Sequence, residues 1–170
     1  MPRPNPQDAA EFYHNYISYA KGNSPAEVMT GFTTAIKDFY NNLPEAKAGY
    51  AYAPGKWTIK DLIQHLIDAE RIFAYRALRI ARKDTTPLPG FDENNYAVNS
   101  NANSRTLQSL KEEFNAVRTS TNLMLQSFTE DQLNATGTAS NNSITVNAIA
   151  FIIFGHLLHH KKIIEERYLS

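Results

Sequence analysis

The sequence predicts an all-α fold, a four-helix bundle preceded by a short helix, and three observations carry that reading. Apolar residues recur at three- and four-residue spacing through four long segments. Helix-capping residues stand just ahead of most of these segments. Strand signals are nearly absent, since no alternating run is bounded by hairpin turns.

Taken in order, the short N-terminal helix is expected from about Gln7 to Ala20. Ser24-Pro25-Ala26-Glu27 then supplies a capping serine, a proline at the first helical position and a glutamate at the third. Met29, Phe32, Ile36, Phe39 and Leu43 follow on one stripe, and Pro44 stops this first main helix. Thr58 and Asp61 form a second cap, ahead of Ile59, Leu62, Leu66, Ala69, Phe73, Ala77 and Ile80. The third main helix carries Leu107, Leu110, Phe114, Val117, Thr121 and Met124, nearly a heptad seam. Thr145 can cap the fourth, which runs to about Tyr168. Residues 84–103, DTTPLPGFDENNYAVNSNAN, form a long polar link between the second and third main helices. Antiparallel neighbours need only a few connecting residues, so a link this long suits a crossover between parallel helices. The second and third main helices are therefore expected to run parallel, which is not the simple up-down-up-down order, within a single domain over 1–170.

Composition narrows the function. The chain has 170 residues, enough to bury a real core, and 42% hydrophobic with 20% charged residues is a globular balance. Lys plus Arg equals Asp plus Glu, 17 against 17, so there is no basic excess to draw nucleic acid. There is no cysteine, which removes disulfides, thiolate metal sites and an intrinsic thiol nucleophile. MPRPNPQDAAEF lacks the apolar core of a signal peptide, and no apolar run is long enough to span a bilayer. A cytoplasmic protein without a membrane partner is expected.

The stretch FIIFGHLLHHKK, Phe151 to Lys162, places three of the five histidines within five residues of an apolar segment. Successive helical residues turn by roughly 100°, so His156 and His160 share a face with Ile149, Ile152, Ile153 and Ile163, and His159 falls on its flank. A pair at i and i+4 can hold one metal ion, although the spacing alone is common. His65 sits at the edge of the second main helix's apolar stripe and can add a third ligand. His14 lies beside Glu11 in the only ExxH motif, EFYH, so a di-iron bundle, which needs two, does not fit. Taken singly, each histidine favours a structural reading over a ligand role, His65 as a hydrogen-bonded core side chain and the others snorkelling to water. Taken together, two inward histidines one turn apart plus one on another helix are difficult to satisfy with protein partners alone.

Pro54-Gly55-Lys56-Trp57-Thr58-Ile59, leading to His65, Leu66 and Glu70, resembles the second helix of the DinB-like (damage-inducible) family. PLPGFDENNYA resembles that family's inter-helical loop, and Thr145-Val146 through His156 and His160 resembles its last helix. The resemblance covers nearly everything after about Pro25. It implies an up-down-down-up metal-binding bundle whose metal ligands are His65, His156 and His160. Three imidazoles leave open coordination positions, as catalytic sites require. Zinc is the expected ion, with nickel, iron and manganese allowed by the ligand type. Such an ion can acidify a bound water, polarise a carbonyl or bind a thiol as thiolate. Relatives in this family include enzymes using a low-molecular-weight thiol such as bacillithiol or mycothiol. With no cysteine in the chain, a thiol nucleophile must arrive as a cosubstrate beside the small-molecule substrate. A metal-dependent thiol transferase is thus the expected function. A hydrolase working through metal-bound water and a non-catalytic binding bundle are the alternatives.

Three further expectations concern particular residues. Arg118 projects into the bundle beside Leu107 and Phe114, with Glu70 as its partner, or it snorkels to water. Arg118 and Tyr96 are candidates for substrate contact, the latter on a loop with Phe91 and Asn95 that either roofs the metal site or is a solvated crossover with one buried anchor such as Phe91. Finally, Phe151, Phe154 and Leu158 point away from the His156 face and require a second cover. A homodimer through these three residues is expected, with the N-terminal Phe12, Tyr13, Tyr16 and Ile17 as the other candidate cover.

Overall fold

A computed structural model describes residues 1–170. Its seven α-helices are α1 (His14–Tyr19), α2 (Pro25–Asn41), α3 (Ile59–Ala81), α4 (Glu93–Asn99), α5 (Leu107–Gln126), α6 (Glu130–Asn134) and α7 (Val146–Arg167). The four long ones, α2, α3, α5 and α7, form the bundle. Each begins where a side chain satisfies a free backbone N–H. Ser24 accepts from Glu27, Thr106 from Ser109 and Thr145 from Ala148, while Thr58 and Asp61 cap one another reciprocally.

Side-chain pairs between helices fix the directions. From α3 to α5, Gln64 pairs with Arg105 at the mouth of α5, while Glu70 and Arg71, two turns on, pair with Arg118 and Glu113 further along α5, so the helices run parallel. From α2 to α5, Lys111 reaches the Leu43 carbonyl, Asn41 pairs with Asn115 and Thr33 with Asn122, an antiparallel run. Tyr40 donates to the Leu157 carbonyl and Lys47 to that of Tyr168, which makes α2 and α7 parallel. Tyr168 reaches back to the Trp57 carbonyl while His156 meets His65, so α3 and α7 are antiparallel. This is the up-down-down-up order, and it brings the N-terminal half of α3 against the middle of α7.

Helix α7 is the axis of the fold. Every residue from Val146 to Leu157 is buried, and a helix apolar on all sides must be wrapped on all sides. Phe154 lies under the Arg118 guanidinium of α5, 4.6 Å from carbon to ring centre. Phe151 lies under Arg3, at 5.2 Å. Arg3 also donates to the carbonyls of Ile17, Ala20 and Gly22, and Asn147 donates to the Pro2 carbonyl, so the N-terminal segment is tied down across α7. At Gly155 the backbones nearly touch: a Cβ there would lie 1.8 Å from the Tyr16 carbonyl oxygen. The homodimer expected through Phe151, Phe154 and Leu158 is corrected here. The chain itself covers these residues, Phe151 and Phe154 at 0% and 1% exposure, with Leu158 half-buried against the core.

Other expectations needed adjustment. The N-terminal helix is not continuous; two 3-10 turns, Pro6–Asp8 and Glu11–Tyr13, precede α1, separated at Ala9 by extended backbone (φ −155°). A hairpin that the strand reading did not anticipate, β1 (Thr136–Ala139) with β2 (Asn142–Thr145), precedes α7. Its two turn residues, Ser140 and Asn141, both have positive φ (50° and 63°), the left-handed pair that a two-residue hairpin demands. Leu88 in the crossover bonds to Thr138 and Ser140, pinning the link to this hairpin. The link also contains α4, capped by Asp92.

Candidate metal centre

One stripe of α3, namely His65, Ala69, Phe73 and Arg76, faces the His156 and His160 side of α7 across a cavity of about 290 Å³. The spacing of four, four and three residues keeps these side chains on one face. Tyr13 and Tyr16 close the cavity from the N-terminal segment, Trp57 from the loop before α3, and Phe91, Glu93 and Ser140 from the crossover and hairpin.

The three histidines meet through their Nε2 atoms. His156 Nε2 lies 3.0 Å from that of His65 and 3.1 Å from that of His160. One ligand nitrogen from each of the three falls within 4.8 Å of the others. Aromatic neighbours hold the rings in these directions: Trp57 packs on His65 with centroids 4.8 Å apart, and Tyr16 and Phe73 meet His156 edge-on. Burial depresses all three basicities. His65 is lowered from 6.5 to about 4 by desolvation. His156 and His160 are lowered by desolvation and then by their histidine neighbours. The rings are therefore neutral at pH 7, with lone pairs available.

Neutral His156 Nε2 has one proton or one lone pair and cannot satisfy both neighbouring nitrogens, and no carboxylate pairs with the cluster. A divalent ion resolves the conflict. Metal–imidazole bonds of about 2.0–2.1 Å place ligand nitrogens roughly 3.0–3.4 Å apart, the spacing that His156 keeps to both His65 and His160. The donor set therefore fits a borderline metal such as zinc. His160 Nδ1 has no protein partner, nor has Nδ1 of His159, whose ring packs against Tyr16 and Tyr19 beside the cluster. His14 is bound up in the N-terminal turn, its Nε2 facing the carbonyls of Pro6 and Ala9.

The two candidates for substrate contact lie elsewhere. Arg118 is buried as expected and paired to Glu70 at 2.7 Å, with a second bond to Asn122, but it is not on the cavity wall. Its guanidinium is occupied by the bundle interior, so substrate contact is corrected to a structural pairing. Tyr96 is half exposed and packs behind Phe91, with ring centroids 5.1 Å apart. Of the expected roof, Phe91 lines the cavity, while Asn95 serves the capping of α4 by Asp92.

Sequence reasoning missed Arg76, Phe73 and Glu93 as cavity residues. For Arg76 a signal was present: it continues the α3 stripe of His65, Ala69 and Phe73, and a charge on such a stripe is a departure from pattern.

The DinB superfamily model matches residues 33–164. A curated protein of Oceanobacillus iheyensis, named "Putative metal-dependent hydrolase", is 27% identical over 81 residues, 47% of this chain and 46% of that protein. The match thus spans about half the length of that curated relative. Among solved structures, YfiT from Bacillus subtilis is similar with a TM-score of 0.69 and 15% identity, covering 96% of this chain and 89% of that one. It is described as a probable metal-dependent hydrolase with an unusual four-helix bundle topology. The mycothiol-dependent maleylpyruvate isomerase is similar with a TM-score of 0.66 and 11% identity, covering 88% of this chain and 59% of that one. At these identities the two structures establish the shared fold alone. No helix of the chain is long and apolar enough to cross a membrane.

Proposed function

The chain belongs to the DinB superfamily, and from that premise we propose that it is a divalent-metal-dependent enzyme acting on a small molecule in the cavity beside His65, His156 and His160. The observation that carries this reading is the convergence of three neutral Nε2 atoms at 3.0 and 3.1 Å. When bound, the ion supplies Lewis acidity to an oxygen or sulfur group entering its open positions. The chain's own part is to position and to exclude. His65, His156 and His160 hold the ion through lone pairs that burial keeps unprotonated. Trp57 and Phe73 fix the rings and line the space beside them. Tyr13 and Tyr16 keep their hydroxyl protons, since burial raises both above the ordinary tyrosine value. They can donate hydrogen bonds to a bound ligand.

The chain offers no thiol and no histidine-activated serine or threonine in this cavity. It has no cysteine, and Ser140, the cavity's only serine or threonine, is bonded to the Arg76 guanidinium rather than to a histidine. A thiol as the attacking group therefore comes from outside. A low-molecular-weight thiol fits best, because a neutral three-imidazole site stabilises a thiolate that the chain cannot supply itself. The mycothiol dependence of a structural neighbour supports this reading. Hydrolysis by water is the second reading, supported by the names of the Oceanobacillus protein and of YfiT. Zinc-loaded protein incubated with an electrophile, with and without bacillithiol or mycothiol, separates them. Thiol-dependent loss of the electrophile supports transfer, turnover in water alone supports hydrolysis, and no turnover of any electrophile by fully loaded protein rejects catalysis.

A further inference from the structure

Two arginines point into this fold, and only one has a countercharge. Arg118 meets Glu70. Arg76 is 2% exposed, yet no carboxylate lies within ion-pairing distance of it. Its Nη2 donates to the Pro89 carbonyl (2.7 Å) and to Ser140 Oγ (3.0 Å). Its Nη1 reaches the Tyr13 hydroxyl only at 3.4 Å. A guanidinium carries five N–H donors, so three protein acceptors leave donor capacity unused as well as a full charge. Burying such a charge without an anion is unfavourable, and proteins accept it where a ligand completes the pair. Arg76 lies on the wall of the same cavity as the three histidines.

The geometry points to Arg76 as the anion-binding subsite of this cavity: it takes the carboxylate of a small substrate whose other end lies at the histidine cluster. The inference rests on reading the cavity as a metal-dependent substrate site. The Phe73 ring stands between the two ends, 5.9 Å from the Arg76 guanidinium carbon and 6.1 Å from the His156 ring, each centre to centre. A ligand lying along Phe73 thus reaches both ends with an apolar body between them. Tyr13 accepts from Arg76 and keeps its own proton to give to the same anion. Glu93 is the one acid on the cavity wall. Its charge opposes a dianion more than a monoanion, which favours a carboxylate over a phosphate group. Planar, bidentate pairing with carboxylate is what a guanidinium does best.

Trp57 is the only tryptophan of the chain and lines this cavity, so its fluorescence reports occupancy. The test uses butyrate, the neutral butyramide and inorganic phosphate as probes, titrated into chelator-treated protein and into zinc-loaded protein. In metal-free wild type, butyrate should bind saturably and at least about tenfold more tightly than butyramide or phosphate. Arg76→Gln should abolish that preference, while Arg76→Lys should keep part of it. An arginine that merely straps the crossover and hairpin to α3 predicts equal binding of butyrate and butyramide by wild type, and that result overturns the inference without relying on any variant. Tighter binding of phosphate than butyrate would overturn the assignment to carboxylate. Zinc content, measured on the same samples, keeps the two readings apart. Zinc binding without anion preference removes the Arg76 subsite alone; Arg76-dependent preference without zinc binding removes the metal site alone.

Discussion

Replacing Glu70 by alanine isolates the energetic role of the buried pair in the bundle. The carboxylate and the Arg118 guanidinium are 3% and 7% exposed and 2.7 Å apart, so water screens neither. Removing the carboxylate leaves Arg118 with Asn122 at 2.6 Å and the Phe154 face, neither of which carries charge. Breaking a buried pair from one side costs about 3–5 kcal/mol. In a domain of this size, that corresponds to a fall in Tm of about 6–20 °C. Glu70→Gln keeps an acceptor and should cost less, about 1–3 kcal/mol. The double replacement Glu70→Leu with Arg118→Met removes both charges and should recover most of the loss. Urea unfolding of the four proteins gives these differences, and metal content should remain that of wild type throughout. A loss below about 1 kcal/mol for Glu70→Ala would mean that the pair behaves as an exposed one, contradicting its assignment to the interior.

Two other perturbations test separate parts of the structure. Gly155→Ala should lower stability by about 1–3 kcal/mol or more in urea unfolding, because the new methyl meets the Tyr16 carbonyl and pushes α1 off α7; a neutral substitution would show that the helices do not touch there. Metal-free protein should lose stability as pH falls from 6.5 toward about 4, because His65 stays neutral when folded and takes up a proton when unfolded. Sign and window follow from the depressed folded value: the folded state carries no penalty above 6.5 and bears it fully below about 4. His65→Ala should flatten that slope, and identical slopes for the two proteins would contradict the assignment.

How much of this was legible in the sequence depends on the kind of signal. The four bundle helices were readable because their caps are local and their apolar stripes are periodic; Thr58 with Asp61 forms the reciprocal cap the sequence suggests. The parallel run of α3 and α5 was readable from the length of the link. His65, His156 and His160 converge because helix direction and spacing together fix which faces meet. The hairpin was hidden because its strands have four residues each, too short for alternation to show, although Ser140-Asn141-Asn142 is a usable turn signal. The cover of α7 was misassigned to a second subunit because the N-terminal segment reads as weakly structured. What holds it down are isolated long-range contacts with no periodic signature, Arg3 over Phe151, Asn147 to the Pro2 carbonyl and Gly155 against Tyr16. Arg76 was missed for a similar reason: its missing countercharge becomes visible only once the crossover and hairpin are in place around it.

The claim that His65, His156 and His160 together hold one divalent ion is tested most directly by metal stoichiometry. Chelator-treated wild type and the His65→Ala, His156→Ala and His160→Ala variants are titrated with zinc, and bound metal is measured after gel filtration, with helical content checked by circular dichroism. Wild type should take up about one ion per chain, and each variant should bind at least roughly 100-fold more weakly while remaining helical. If a folded triple-alanine variant holds zinc as tightly as wild type, the converging imidazoles are not a metal site.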